Sequence, residues 1–144
     1  MLSNLLVTAV FNEDQSEVRN LIEREDIDVN GYDEVLSTAL HLAMERNQSD
    51  IVTTLLTSSH LKLITDCFGW NGLHYACESN AFNTIAILGK DQRCTESVIN
   101  MKDFNNDTAV MVAIRNGNKD CVKEMVKLDG IDLRPSTFGR KKPV

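Results

Sequence analysis

The chain has 144 residues, of which 42% are hydrophobic and 25% charged, and it carries a formal net charge of −6. That length suits one domain, and the acidic balance argues against a general nucleic-acid binder, which needs a basic surface. No apolar run is long enough to span a bilayer, and the start of the chain has no basic segment leading into an apolar stretch. A location in the cytoplasm or the nucleus is therefore expected, with no secretion signal and no membrane partner.

One pattern organises the sequence: Leu-x-x-Ala, then Val or Ile nine residues on, then Leu or Met three further. The first unit holds Leu6, Ala9, Val18 and Leu21. Leu2, Leu5, Val10 and Phe11 crowd around it, so its outer face is not fully polar, and weak self-association through this end is expected. The second unit holds Leu40, Ala43, Val52 and Leu55, with Thr38 placed to cap its first helix and Asn47-Gln48-Ser49 as the turn between its helices. The third holds Leu73, Ala76, Ile85 and Leu88, with Asn71 as cap and Asn80 ending the first helix. The fourth holds Val110, Ala113, Val122 and Met125, with Thr108 as cap and Gly117 at the stop; Gly and Asn tolerate the left-handed backbone that ends a helix. These sixteen residues are the predicted core.

The Ala anchors lie 34, 33 and 37 residues apart. A fixed period in this range marks stacked supersecondary units, each too small to bury its own apolar stripes. The expected repeats span about 1–30, 31–64, 65–100 and 101–133. Residues 134–144 form a tail or the start of a fifth repeat, because Ser136-Thr137-Phe138-Gly139 sits where another turn would begin. Arg140-Lys141-Lys142 in that tail reads either as a nuclear-import or acidic-partner patch or, the better reading, as part of a short carboxy-terminal cap or a cut-off fifth repeat.

Little in the sequence points to chemistry. The cysteines, Cys67, Cys77, Cys94 and Cys121, lack paired metal-ligand spacing and read as reduced thiols, with no metal expected. His74 and Cys77 lie three apart on one helix, but no third residue orients the His and no glycine-rich oxyanion turn accompanies them. Phosphate-loop and dinucleotide fingerprints are absent, so neither catalysis nor a cofactor is expected. Glu25 and Asp26 read as solvent-facing charges. The glycosylation sequons at Asn47 and Asn106 fall inside repeat structure and read as chance matches.

Thr38-Ala39-Leu40-His41-Leu42-Ala43 and Gly69-Trp70-Asn71-Gly72-Leu73-His74-Tyr75-Ala76 resemble the ankyrin repeat family. Asp28-Val29-Asn30 and Val98-Ile99-Asn100 match the segment leading into the next turn. The resemblance runs from about Asn4 to Leu133. It implies an all-α solenoid of four helix-turn-helix repeats joined by extended turns. It also implies that His41 and His74 tie adjacent turns together.

The sequence departs from the family at several places. Ala39, Gly72 and Ala109 stand where Pro is usual, and Gly72 costs roughly 0.5–1 kcal/mol relative to Ala in a helix. Gly89 replaces a large apolar residue, and Lys90 to Glu96 lengthen the third interval. The third unit is therefore expected to be the least stable.

The family's contact positions are the turn tips and the exposed ends of the first helices. In this chain the tips are Glu34, Val35 and Ser37; Cys67, Phe68 and Trp70; and Phe104, Asn105 and Asp107. The helix ends are Phe11 and Asn12, Glu45 and Arg46, Glu78 and Ser79, and Arg115 and Asn116. The candidate partner-binding set is Phe68, Trp70, Phe104, Asn105, Asp107, Glu45, Arg46, Glu78 and Arg115. Aromatic anchors rimmed by Glu45, Glu78 and Arg115 suit a protein or peptide with an apolar anchor and a basic flank. The competing reading of Trp70 is packing on the next turn. The implied function is a non-enzymatic protein-binding module, with a substrate-selecting segment of a larger enzyme or ubiquitin-ligase assembly as the alternative.

Overall fold

The computed structural model describes residues 2–32 and 37–134, so the expected tips Glu34 and Val35 and the tail motifs from Ser136 onward lie outside the described residues. Among the described residues the fold is all-α, with nine helices. They pair as α1 (Leu2–Phe11) with α2 (Gln15–Ile22), α3 (Ala39–Glu45) with α4 (Ser49–Leu56), α5 (Gly72–Ser79) with α6 (Phe82–Gly89), and α8 (Ala109–Arg115) with α9 (Lys119–Val126). A single-turn helix, α7 (Glu96–Ile99), lies between the third and fourth hairpins. The first helices pack side by side in one layer, α1 on α3, α3 on α5 and α5 on α8. The second helices form the other layer, α2 on α4, α4 on α6 and α6 on α9.

Local chemistry sets the ends of each hairpin. Thr38, Asn71 and Thr108 cap α3, α5 and α8, each accepting the amide of the residue three further on. The first helix stops at a left-handed residue four positions after each anchor Ala: Glu13, Asn47 and Asn80 at φ 57° and Gly117 at φ 71°. Asn and Gly take this backbone readily. Glu13 does not, because its Cβ crowds the following carbonyl.

Hairpins are joined at a repeated acceptor. The carbonyl of the residue after each anchor is among those a helix end leaves without an intrahelical partner. Gln48 Nε2 donates to Val10 O at 3.1 Å, Thr84 Oγ1 to Met44 O at 3.1 Å, and Asn118 Nδ2 to Cys77 O at 2.7 Å. Each bond runs from one hairpin back to the one before it. The side chains on these acceptor residues, Val10, Met44 and Cys77, are wholly buried between hairpins.

Every predicted core residue is buried except Val122, which is only partly covered. Val18, Val52 and Ile85, its counterparts, are each followed by another hairpin. No fifth hairpin follows Val122 among the described residues. Ile114, the counterpart of Val10, Met44 and Cys77, is 59% exposed for the same reason. At the other end Leu6 and Val10 are buried, while Leu5 and Phe11 are exposed.

The third hairpin has compensations that the sequence pattern hid. A Cβ on Gly72 would lie 3.0 Å from Met44 Cγ, so the glycine makes room for a buried methionine. Leu128 fills the space beside Gly89. Arg93, in the extra segment, donates to Leu56 O (2.7 Å), Ser58 O (2.8 Å) and Leu61 O (3.2 Å), satisfying carbonyls at and beyond the end of α4. Asp91 holds the guanidinium at 2.8 Å. The insertion therefore works as a clamp on the second hairpin.

Two stability changes follow. Glu13→Gly is expected to stabilise the fold by about 1 kcal/mol in urea titration, since relief of the left-handed backbone outweighs a weak surface ion pair. Arg93→Ala is expected to destabilise by about 2 kcal/mol, because carbonyls lose charged donors. Lys at 93 should restore little, as a single ammonium cannot serve carbonyls that the guanidinium fork reaches together.

Candidate interaction surface

Two aspartates build the turn tips. Asp66 Oδ1 accepts the amides of Phe68 (2.9 Å) and Trp70 (3.0 Å), while the Asp66 amide donates to Trp70 O at 2.9 Å. Asp103 repeats the arrangement, with Oδ1 accepting from Asn105 (2.8 Å) and Asp107 (2.9 Å) and its amide donating to Asp107 O at 2.8 Å. A short carboxylate two residues before a free amide closes such a turn, and its burial strengthens the bonds. The turns are then linked, since the Phe104 amide donates to Phe68 O at 3.1 Å. Gly69, at φ 80°, lies beneath the Phe104 ring; a Cβ there would come within 2.8 Å of Phe104 Cδ1.

This frame presents Phe68 and Phe104 to solvent, 57% and 77% exposed, on neighbouring tips. Asn105 is also exposed. Trp70 serves a different purpose. It is half-buried, its indole N–H donates to Asp103 Oδ2 at 2.8 Å, and its ring stacks on His74 at 5.9 Å and meets Tyr75 edge-on at 5.1 Å. Asp107 is buried, and its carboxylate pairs with Arg115 at 3.0 Å. Arg46 lies over the Phe11 ring at 4.9 Å, donates to Phe11 O and pairs with Glu13 at 3.3 Å.

The inner-helix ends are acidic. Burial, and then the neighbouring Glu78 carboxylate, raise the Glu45 pKa above its ordinary value. Glu78 accepts from Asn116 Nδ2 at 2.9 Å. With Arg46 paired to Glu13 and Arg115 to Asp107, Glu45 and Glu78 dominate the local charge.

Sequence reasoning passed over Tyr75 and the structural role of Asp66 and Asp103. The Tyr75 hydroxyl donates to Asp66 Oδ2 and lies 3.2 Å from Ser37 Oγ. Burial, helped by the Asp66 carboxylate, holds that hydroxyl far above its ordinary pKa. The available signal was the recurrence of Asp five residues before both Asn71 and Thr108.

His41 and His74 tie turns together. His74 Nδ1 accepts the Asn71 amide at 3.1 Å, so the proton is assigned to Nε2, which donates to Asp107 O at 3.1 Å. His41 does the same between the Thr38 amide (2.9 Å) and Ile64 O (3.0 Å). Both His74 nitrogens are thus engaged by backbone, which leaves neither to act as a base toward Cys77.

Residues 58–137, more than half of the chain, match the family of ankyrin repeats in three copies, and residues 36–66 match the single ankyrin repeat. The chain belongs to the ankyrin repeat family, and it is a protein-interaction module. Among curated proteins it is 28% identical over 137 residues to NF-kappa-B inhibitor alpha of Rattus norvegicus, covering 90% of this chain and 43% of that protein. It is 31% identical over 109 residues to NF-kappa-B inhibitor alpha of Mus musculus, covering 73% and 34%. With the Homo sapiens protein it shares 27% over 137 residues, covering 90% and 42%. The chain thus spans less than half the length of these relatives.

The buried histidine gives the surface frame a pH dependence. Burial is the main cause holding the His74 pKa below its ordinary value, against the opposing pull of Asp107, Asp103 and Asp66. The unfolded chain therefore takes up a proton at His74 where the folded chain does not. Its contribution is complete above about pH 6.5 and is lost as pH falls through the depressed folded value. Melting temperature should drop as pH is lowered from about 7 toward 5, and His74→Gln should flatten that slope when the two proteins are compared by calorimetry.

Proposed function

We propose that this module docks on a segment of an NF-kappa-B protein through its turn tips and inner-helix ends, and masks that segment. The observation that carries the reading is the pair Phe68 and Phe104. They are large, exposed and held at fixed positions on adjacent tips by the Asp66 and Asp103 turns. Exposed aromatics on a preorganised frame bury much area at small entropic cost. Glu45 and Glu78 lie on the neighbouring helices and favour a basic flank in the partner. The relatives are named as inhibitors of NF-kappa-B, which supports this class of partner.

Within this reading, Phe68 and Phe104 act as anchors and Glu45 and Glu78 as the charged rim. Asn105 is an exposed polar contact beside Phe104. Trp70, Asp107 and Arg115 hold the tips and inner helix in place, and Arg46 braces the first two hairpins.

The test is calorimetric titration of the chain with a purified NF-kappa-B protein. Phe68→Ala with Phe104→Ala should weaken binding about 30-fold or more, equivalent to about 2 kcal/mol, with the melting temperature unchanged. Trp70→Ala should instead lower the melting temperature through loss of its Asp103 bond and ring contacts. Unchanged affinity in the Phe double variant, or binding lost only together with the fold, would overturn the proposal.

A further inference from the structure

The residue after each anchor Ala lies in a slot between consecutive hairpins, opposite the second helix of the hairpin that follows. In the first slot Val10 is wholly buried, and so is Ile51 nearly. In the second, Met44 meets Thr84, whose hydroxyl reaches Met44 O. The third holds two thiols, Cys77 on α5 and Cys121 on α9, both fully buried, with the Cys121 thiol reaching Ala76 O, one residue before Cys77, at 3.3 Å. They are 44 positions apart in sequence, so stacking alone brings them together.

The backbones on either side are already tied. Asn118 Nδ2 donates to Cys77 O at 2.7 Å and to Glu78 O at 3.1 Å. The Cys121 amide donates to Asn80 Oδ1 and the Cys121 thiol to Ala76 O, each at 3.3 Å. These bonds bracket the two sulfurs and hold α5 and α9 in one register. A disulfide forms readily only where two backbones are close and correctly placed beforehand.

We propose that Cys77 and Cys121 are an oxidisable dithiol, converted by a peroxide to a disulfide that locks the third hairpin to the fourth. The neighbouring Cys77 thiol lowers the Cys121 pKa from its ordinary value, and Cys121 is the first to act as a nucleophile. Its thiolate attacks one peroxide oxygen, the O–O bond breaks, and hydroxide leaves to take up a proton as water. The sulfenic acid formed on Cys121 is then attacked by the Cys77 sulfur. The S–O bond breaks, and the hydroxyl departs as water with the Cys77 proton. Two thiols lose two electrons, and one hydrogen peroxide is reduced to two waters. Burial gates the reaction, since peroxide reaches the pair only when the interface between the hairpins opens. Exposed Cys67, on the Phe68 tip, reacts without that opening. Cys94 is a poor nucleophile, its thiol pushed up to about 11 by burial.

The product would covalently fix the Glu78 helix end against the fourth hairpin, in reducing compartments a transient state and not a structural one. The test uses the reduced wild-type chain, treated with hydrogen peroxide under native conditions, alkylated and digested without reductant. The monomer fraction should yield a cross-linked peptide containing Cys77 and Cys121. Its urea midpoint should rise, and dithiothreitol should return it to the starting value. Cys121→Ser should leave Cys77 alkylatable after the same treatment. Recovery of both Cys77 and Cys121 as alkylated thiols after Cys67 has reacted would overturn the proposal. So would Cys121 sulfinic acid beside a free Cys77, or a link that forms only in denaturant.

Discussion

The structure depends on how the carbonyls at each first-helix end are satisfied. A short helix leaves its last carbonyls without intrahelical partners, and burial makes such groups costly. Val10 O and Met44 O accept the amides of Glu13 and Asn47 of their own hairpins, and the acceptor at Val10, Met44 and Cys77 is further met by Gln48, Thr84 and Asn118 of the following hairpin. The donor changes from amide to hydroxyl and back, but the acceptor keeps its place. Apolar stripes supply the area buried between hairpins; these bonds set the register at which it is buried. The two histidines add a second line of ties on the turn side, running forward to Ile64 O and Asp107 O.

That register is what makes a surface out of separate turns. Asp66 and Asp103 shape each tip by the same pair of amide contacts, and the Phe104 amide joins one tip to the next. Trp70 braces the pair from beneath by reaching from its own tip to Asp103. The outward aromatics are therefore presented by a frame whose polar groups are already engaged. Preorganisation of this kind reduces the ordering cost that a flexible loop would add on binding. The pairing of Arg46 with Glu13 and of Arg115 with Asp107 leaves an acidic character on the inner helices, in keeping with the charge of the whole chain.

The same stacking that builds the surface creates a buried thiol pair at the third slot. A slot occupied by Val and Ile in one place and by Met and Thr in another carries no chemistry beyond packing. Two cysteines there satisfy the packing requirement as small apolar side chains while retaining redox reactivity. Structure and reactivity thus share the interface between the third and fourth hairpins, which also carries the tip-to-tip bond.

Much of this was legible in the sequence. The recurring quartet specified helix pairs and nearly the whole core, because helical periodicity and a fixed repeat length are local properties of the chain. Thr38, Asn71 and Thr108 were readable as caps, and Asn80 and Gly117 as stops, because their chemistry acts within one turn. Phe68 and Phe104 were readable as tip residues by their place in the repeat. Only the tertiary structure decided that Trp70 is a brace, that Asp107 is buried against Arg115, that Arg93 turns an insertion into a clamp, and that Cys77 meets Cys121. Asp107 and Arg115 meet across the folded tip and first helix of one unit, while the other three depend on partners 33 to 44 positions away, delivered by the stacking of hairpins. Local spacing dictates what a segment becomes, whereas the pairing of one segment's side chains with another's exists only once the stack has formed.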